Sequence, residues 1–122
     1  MNCCYIWLNN AVWVNICMKA EKVRVMGQQY NEISEKSIAF INNQKMFFVG
    51  TATKDSRVNI SPKGMDSFKV LGPNRVIWLN VTGSGNETSA HIQEHNRMTI
   101  MFTAFKDKPL ILRLYGTAKN SA

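Results

Sequence analysis

The sequence predicts a mainly β fold, a six-stranded antiparallel barrel with two short helices, and three observations carry that expectation. First, six runs rich in β-branched and aromatic residues fall at 46–53, 57–61, 67–71, 75–81, 98–105 and 109–117. Second, the breaks Lys54-Asp55-Ser56, Pro62-Lys63-Gly64, Gly72-Pro73-Asn74 and Lys106-Asp107-Lys108 are short and polar, which suits hairpins and not helical crossovers. Third, one break differs: Gly83-Ser84-Gly85-Asn86 leads into a helical register, placing a helix inside a strand meander. Six short strands cannot hide their edges as a flat sheet, and curling into a barrel resolves this.

Taken in chain order, residues 1–25 differ in texture from the rest, with Cys3-Cys4, Trp7, Trp13 and asparagines alternating with apolar residues. This stretch is read as an N-terminal extension of doubtful status, with the domain proper spanning 26–122 from the Met26-Gly27-Gln28 start. Over 31–43, Ile33, Ile38, Phe40 and Ile41 recur at helical spacing, and Asn31 is the expected cap of an amphipathic helix. The strands follow. Between the fourth and fifth, Ser84 and Glu87 have capping-box spacing, and Ala90, His91 and Glu94 continue a helix over 87–96.

With 122 residues the chain forms one domain, and 45% hydrophobic with 19% charged residues is a globular composition. The net charge of +7 invites a polyanionic partner, but the 15 Lys and Arg are scattered with no basic run, which argues against a nucleic-acid surface. The three cysteines all lie in the first 17 residues and offer neither a disulfide framework nor zinc spacing. Three Asn-x-Ser/Thr triplets, at Asn59, Asn80 and Asn86, matter only in a secreted chain. The N-terminal apolar run is short, interrupted by Asn9, Asn10 and Asn15, and preceded by no cation, so the expected setting is cytoplasmic, without a membrane span.

The chemistry concentrates between Arg57 and His91. Arg57, Asn59 and Ser61 alternate along a strand and share one face, with Val58 and Ile60 on the other; the polar row continues to Lys63, held at a Pro-Lys-Gly bend. Trp78-Leu79-Asn80 ends an apolar strand whose backbone suits the edge of a flat ligand, although a tryptophan there is more often core. A helix opening near Asn86, with Thr88 in its first turn, presents unpaired N–H groups to an anion. Cations, hydroxyls and free amides together suit a phosphorylated small molecule. His91 and His95 stand four apart, a spacing open to metal ligation, but no third ligand is evident and a hydrogen-bonded helix histidine is the favoured reading. The chain has no Gly-x-Ser-x-Gly elbow and few acid–base groups, so any enzymatic reactivity must come from a bound cofactor.

The segments 44–52 (Gln-Lys-Met-Phe-Phe-Val-Gly-Thr-Ala), 57–64 (Arg-Val-Asn-Ile-Ser-Pro-Lys-Gly) and 83–88 (Gly-Ser-Gly-Asn-Glu-Thr) resemble the pyridoxamine 5′-phosphate oxidase-like family, over about residues 33–119. The resemblance implies an FMN-binding split β-barrel and a homodimer with flavin at the subunit interface. Carried over by position, Arg57, Asn59, Ser61 and Lys63 match the strand and turn that contact flavin, Trp78, Leu79 and Asn80 the strand along its ring, and Asn86, Glu87 and Thr88 the phosphate-side loop. True oxidases of that family carry a basic pair where this chain has Glu87-Thr88, so it is similar to an uncharacterised branch and pyridoxamine phosphate is not the expected substrate. Family members also continue past Lys119, and a C-terminal part of the barrel is expected to be missing. The leading expectation is an FMN-dependent oxidoreductase acting on an unidentified small molecule. A non-enzymatic flavin- or haem-binding barrel, with His91 or His95 as axial ligand, and a basic nucleic-acid-binding barrel are the alternatives.

Overall fold

The computed structural model describes residues 6–8, 11–13, 16–64, 67–79, 86–104, 106 and 108–120. Its frame is a curled sheet of eight antiparallel strands: β3 (Ile16–Val25), β4 (Gln28–Tyr30), β5 (Met46–Thr51), β6 (Asn59–Gly64), β7 (Phe68–Gly72), β8 (Arg75–Trp78), β9 (Arg97–Ala104) and β10 (Leu110–Asn120). The order is β6-β5-β9-β10-β3-β8-β7, with β4 on the end of β3. A separate hairpin joins β1 (Ile6–Leu8) to β2 (Ala11–Trp13), and two helices, α1 (Glu35–Asn42) and α2 (Asn86–Glu94), complete the half-barrel.

The sheet follows from a period-two pattern. Phe47 and Val49 in β5, Met98, Ile100 and Phe102 in β9, and Leu112 and Leu114 in β10 are buried while their neighbours are not. Each such side chain contributes about 1.5–3 kcal/mol on leaving water. Curvature is imposed by connectivity. Strands β6 and β7 are the two edges of the sheet, yet Gly64 ends one and Phe68 begins the other, a separation of at most about 14 Å of extended chain. The edges therefore bend together, and Phe47 of β5 meets Phe68 of β7 with ring centroids 4.9 Å apart. The rings of Phe102 and Trp78 close the same cluster, Phe102 stacked on Phe47 at 5.6 Å and Trp78 on Phe68 at 6.3 Å.

The mainly β split-barrel architecture agrees with expectation, while its wiring differs from a six-stranded meander. Hairpin partners β5–β6, β7–β8 and β9–β10 pair as expected, but β6 and β7 lie on opposite edges, and β10 and β3 separate β9 from β8. Upstream of Met26, where the sequence reading began the domain, β3 runs through the sheet between β10 and β8, with Ile16, Met18, Ala20 and Val23 fully buried. It turns into β4 through Met26 and Gly27, both at positive φ (49° and 87°), a mirror-image turn suited to the twist of a two-residue hairpin. Opposite β3, the register slips between Tyr115 and Gly116, which face Lys22 and Ala20, leaving Glu21 as a bulge. Gly116 is required there, because a Cβ would collide with the carbonyl oxygen of Lys19.

Helix α1 starts later than the expected 31. Ser34 caps it, accepting from the Ser37 amide at 3.1 Å, because Asn31 is engaged elsewhere: its carbonyl accepts from the Asn74 side chain at 2.8 Å. The same Asn74 amide donates to the Ala20 carbonyl at 3.0 Å and the Ile33 amide donates to Pro73 at 2.7 Å, so the β7–β8 turn staples the approach to α1 against β3. The Pro62-Lys63-Gly64 break expected as a turn is instead the end of β6, where an edge position tolerates a proline without an N–H. Among the described residues, no helix is long and apolar enough to cross a membrane.

Candidate functional site

Strand β6 carries two opposed rows. Asn59, Ser61 and Lys63 turn inward, with Ser61 and Lys63 buried, while Ile60 faces outward at 68% exposure and Val58, just ahead of the strand, is 70% exposed. This inverts the usual polar-out arrangement, and helix α2 explains it. The Thr88 hydroxyl, fully buried in the first turns of α2, accepts from the Asn59 amide at 3.1 Å and lies 3.5 Å from the Ser61 hydroxyl. One turn on, His91 Nδ1 shares a 3.1 Å hydrogen bond with Thr51 Oγ1 of β5, and its Nε2 lies 3.8 Å from the Glu87 carboxylate. Helix α2 thus rests on the β5–β6 hairpin through polar contacts, which is why the strand turns its hydroxyl and amide row toward it.

Lys63 lies two residues beyond Ser61 on the same inward face, in register with Phe47. Burial pushes its ammonium below its ordinary pKa of 10.5 by desolvation. Such a group favours an anionic neighbour.

The expected site residues therefore divide. Asn59, Ser61 and Thr88 meet in one cluster, with Asn86 and the exposed Glu87 at the mouth of α2 beside it. Lys63 shares their face. Arg57 is exposed, ahead of β6 and not within it. Trp78 is fully buried in the aromatic core, its ring edge-on to Phe47 at 6.1 Å, and Leu79 is exposed just past the end of β8. Asn80 and Gly83-Ser84-Gly85 lie outside the described residues. Sequence reading did not find Thr51 as a partner of His91; the signal was a threonine at an inward position of β5. Among the described residues, no group of three or more His, Cys, Asp and Glu gathers as a metal site.

On the outer surface, Val58 and Ile60 border a groove of about 640 Å³. Gly50, Thr51 and Ala52 also line it, and Glu21, Lys22, Arg97 and Tyr115 are among its polar residues. An exposed apolar strip beside an open groove that crosses from β6 toward β3 is the kind of surface that another chain or a flat ligand covers.

A curled antiparallel half-barrel whose edge hairpin receives a helix over a polar, cation-bearing strand defines a class, and sequence comparison places the chain within it. Residues 33–121 match the family described as pyridoxamine 5′-phosphate oxidase, and the chain belongs to that family. It is 41% identical over 91 residues to the "pyridoxamine 5′-phosphate oxidase family protein ustO" of Aspergillus flavus, a match covering 72% of this chain and 36% of that protein. The chain thus spans about a third of the length of that curated relative. No solved structure matches.

Proposed function

We propose that the chain binds flavin mononucleotide and acts as an oxidoreductase-type flavoprotein on a small molecule, as a homodimer with flavin at the subunit interface. The observation that carries this reading is the inward polar face of β6, where Ser61 meets Thr88 of α2 and the desolvated Lys63 follows two residues on along the same face, in a chain of this family.

The chemistry of that donor set fits a phosphoryl tail. Lys63 would supply positive charge that an anion relieves of its desolvation cost, Asn59, Ser61 and Thr88 would supply amide and hydroxyl donors, and the first turn of α2, Asn86 to Thr88, would supply backbone N–H groups. Arg57, exposed at the mouth, adds long-range attraction for a dianion. Bound flavin would supply the redox chemistry, for which the chain's own side chains are poorly equipped. The outward strip of Val58 and Ile60 supports the dimer, since two large apolar side chains held in water on an edge strand gain by pairing with a second copy.

At His91 a haem-binding reading is less well supported, because both ring nitrogens already face protein partners, Thr51 and Glu87. Titration of purified chain with flavin mononucleotide, followed by flavin fluorescence and the visible spectrum, tests the proposal. Saturable binding at one flavin per chain is expected, and flavin left unbound by folded protein would refute it.

A further inference from the structure

We propose that the outer face of the sheet across β9, β10 and β3 is a binding surface for single-stranded nucleic acid, separate from the flavin site proposed on the inner face of β6. Cations that are scattered along the sequence are gathered there by strand register. Arg24 stands opposite Arg113 and Lys22 opposite Tyr115, so three cations and a phenol occupy the corners of one patch on β3 and β10. In the next outward row Lys19 faces Thr117, which in turn faces Arg97 of β9, and Lys119 continues the series along β10. These residues share the face opposite the core, because the alternate positions Ala20, Val23, Met98, Leu112 and Leu114 are buried.

The sheet does not neutralise this charge within itself. The three strands carry six cations, Lys19, Lys22, Arg24, Arg97, Arg113 and Lys119, against one carboxylate, Glu21 at the bulge. Among the described residues none of the six forms an ion pair. Like charges directly opposite on antiparallel strands are destabilising, and Arg24 and Arg113 are such a pair. An anion laid across the pair removes that cost, which makes the opposed arginines an observation independent of the charge count.

Extent and composition select the anion. Arg113 and Lys119 lie six residues apart on β10, about 20 Å of strand, a distance that a chain of phosphates spans and a single phosphoryl group does not. Tyr115, half-buried, stands among the cations, with Thr99 opposite it on β9 and Thr117 two residues along β10 as hydroxyl donors. Cations that track a backbone, with an aromatic ring between them on an open sheet face, suit a strand whose bases are free to stack. A duplex keeps its bases stacked inside, so the single strand is the form that uses Tyr115.

The test uses the full chain and a fluorescein-labelled oligothymidylate of about 12 nucleotides, read by fluorescence anisotropy. Saturable binding is expected, weaker as salt rises and tighter than for a duplex of the same length. Arg24→Gln/Arg113→Gln is expected to weaken it roughly tenfold or more and to flatten the slope of log affinity against log salt by about 1.4, at about 0.7 per phosphate contact. Its melting temperature is expected to stay unchanged or to rise as the opposed charges are relieved. Lys36→Gln/Lys54→Gln, which removes the same charge from exposed positions on α1 and between β5 and β6, is expected to weaken binding by less than roughly threefold. Tyr115→Leu is expected to weaken oligothymidylate by roughly fivefold or more and to leave inorganic polyphosphate, competing for the same surface, unchanged. No saturable binding, equal affinity for the duplex, equal losses in the two double variants, a lowered melting temperature in Arg24→Gln/Arg113→Gln, or a Tyr115→Leu variant that treats both polyanions alike would each overturn the proposal.

Discussion

Thr51 Oγ1 on β5 and His91 Nδ1 on α2 share a buried hydrogen bond of 3.1 Å across 40 residues of sequence. It is one of the polar contacts that fasten α2 to the edge hairpin. Thr51→Val keeps the side-chain shape and removes the hydroxyl, leaving a buried imidazole nitrogen unpaired. The variant is expected to lose about 1–3 kcal/mol in urea denaturation and to speed amide exchange in α2 ahead of β9 and β10. Unchanged exchange in α2 would mean that the helix is held by other contacts.

Lys63 makes stability depend on pH in a defined direction. Its folded-state pKa is depressed below 10.5 by desolvation, so between that depressed value and 10.5 the unfolded chain binds more protons than the folded one. Its burial penalty is present in full at lower pH and is lifted as pH rises through that window. Stability of the native chain is therefore expected to gain on Lys63→Met over the same alkaline range, a difference read from paired urea titrations. Parallel curves for the two proteins would contradict the desolvated lysine.

Gly116 sits where β10 slips register against β3, with the Lys19 carbonyl oxygen in the space a Cβ would fill. Backbone, and not a flexible side chain, must move. Gly116→Ala is expected to cost about 1–3 kcal/mol, seen as a lowered melting temperature, whereas Gly72→Ala, where a Cβ meets nothing within 4 Å, should change little. Equal effects at the two positions would argue against the close approach.

Val58 and Ile60 are exposed in the single chain, so charge there leaves the core intact. The double variant Val58→Glu/Ile60→Glu is expected to keep its melting transition at low concentration and to sediment as a monomer under conditions where the native chain pairs. A native chain that is monomeric at all concentrations would remove the dimer from the account.

Most of the sheet was legible because β5, β7, β8, β9 and β10 carry clear β-type patterns, alternating wherever one face alone is buried. Strand β3 was not. Its inward positions run Ile16, Met18 and Ala20, then jump to Val23, since the bulge at Glu21 resets the alternation and makes a regular strand look irregular. The start of α1 was misplaced because Asn31 and Ser34 are both good caps, and the choice between them is made by Asn74, 43 residues from Asn31. At the site, the sequence separated the two faces of β6 correctly. Which face turns inward depends on Thr88, 29 residues from Asn59, and on a helix that meets this strand through polar groups, information that a six-residue strand does not contain.

The most direct test of the central claim is titration of the native chain and of Lys63→Met with flavin mononucleotide, read by quenching of flavin fluorescence. Saturable binding by the native chain is expected, with an affinity weaker by about 1.5–3 kcal/mol in the variant, the range for a hydrogen bond to a charged group, and with Arg57→Ala, at an exposed position, losing less. Equal affinity in the native chain and Lys63→Met, or no binding by well-folded native protein, would contradict it.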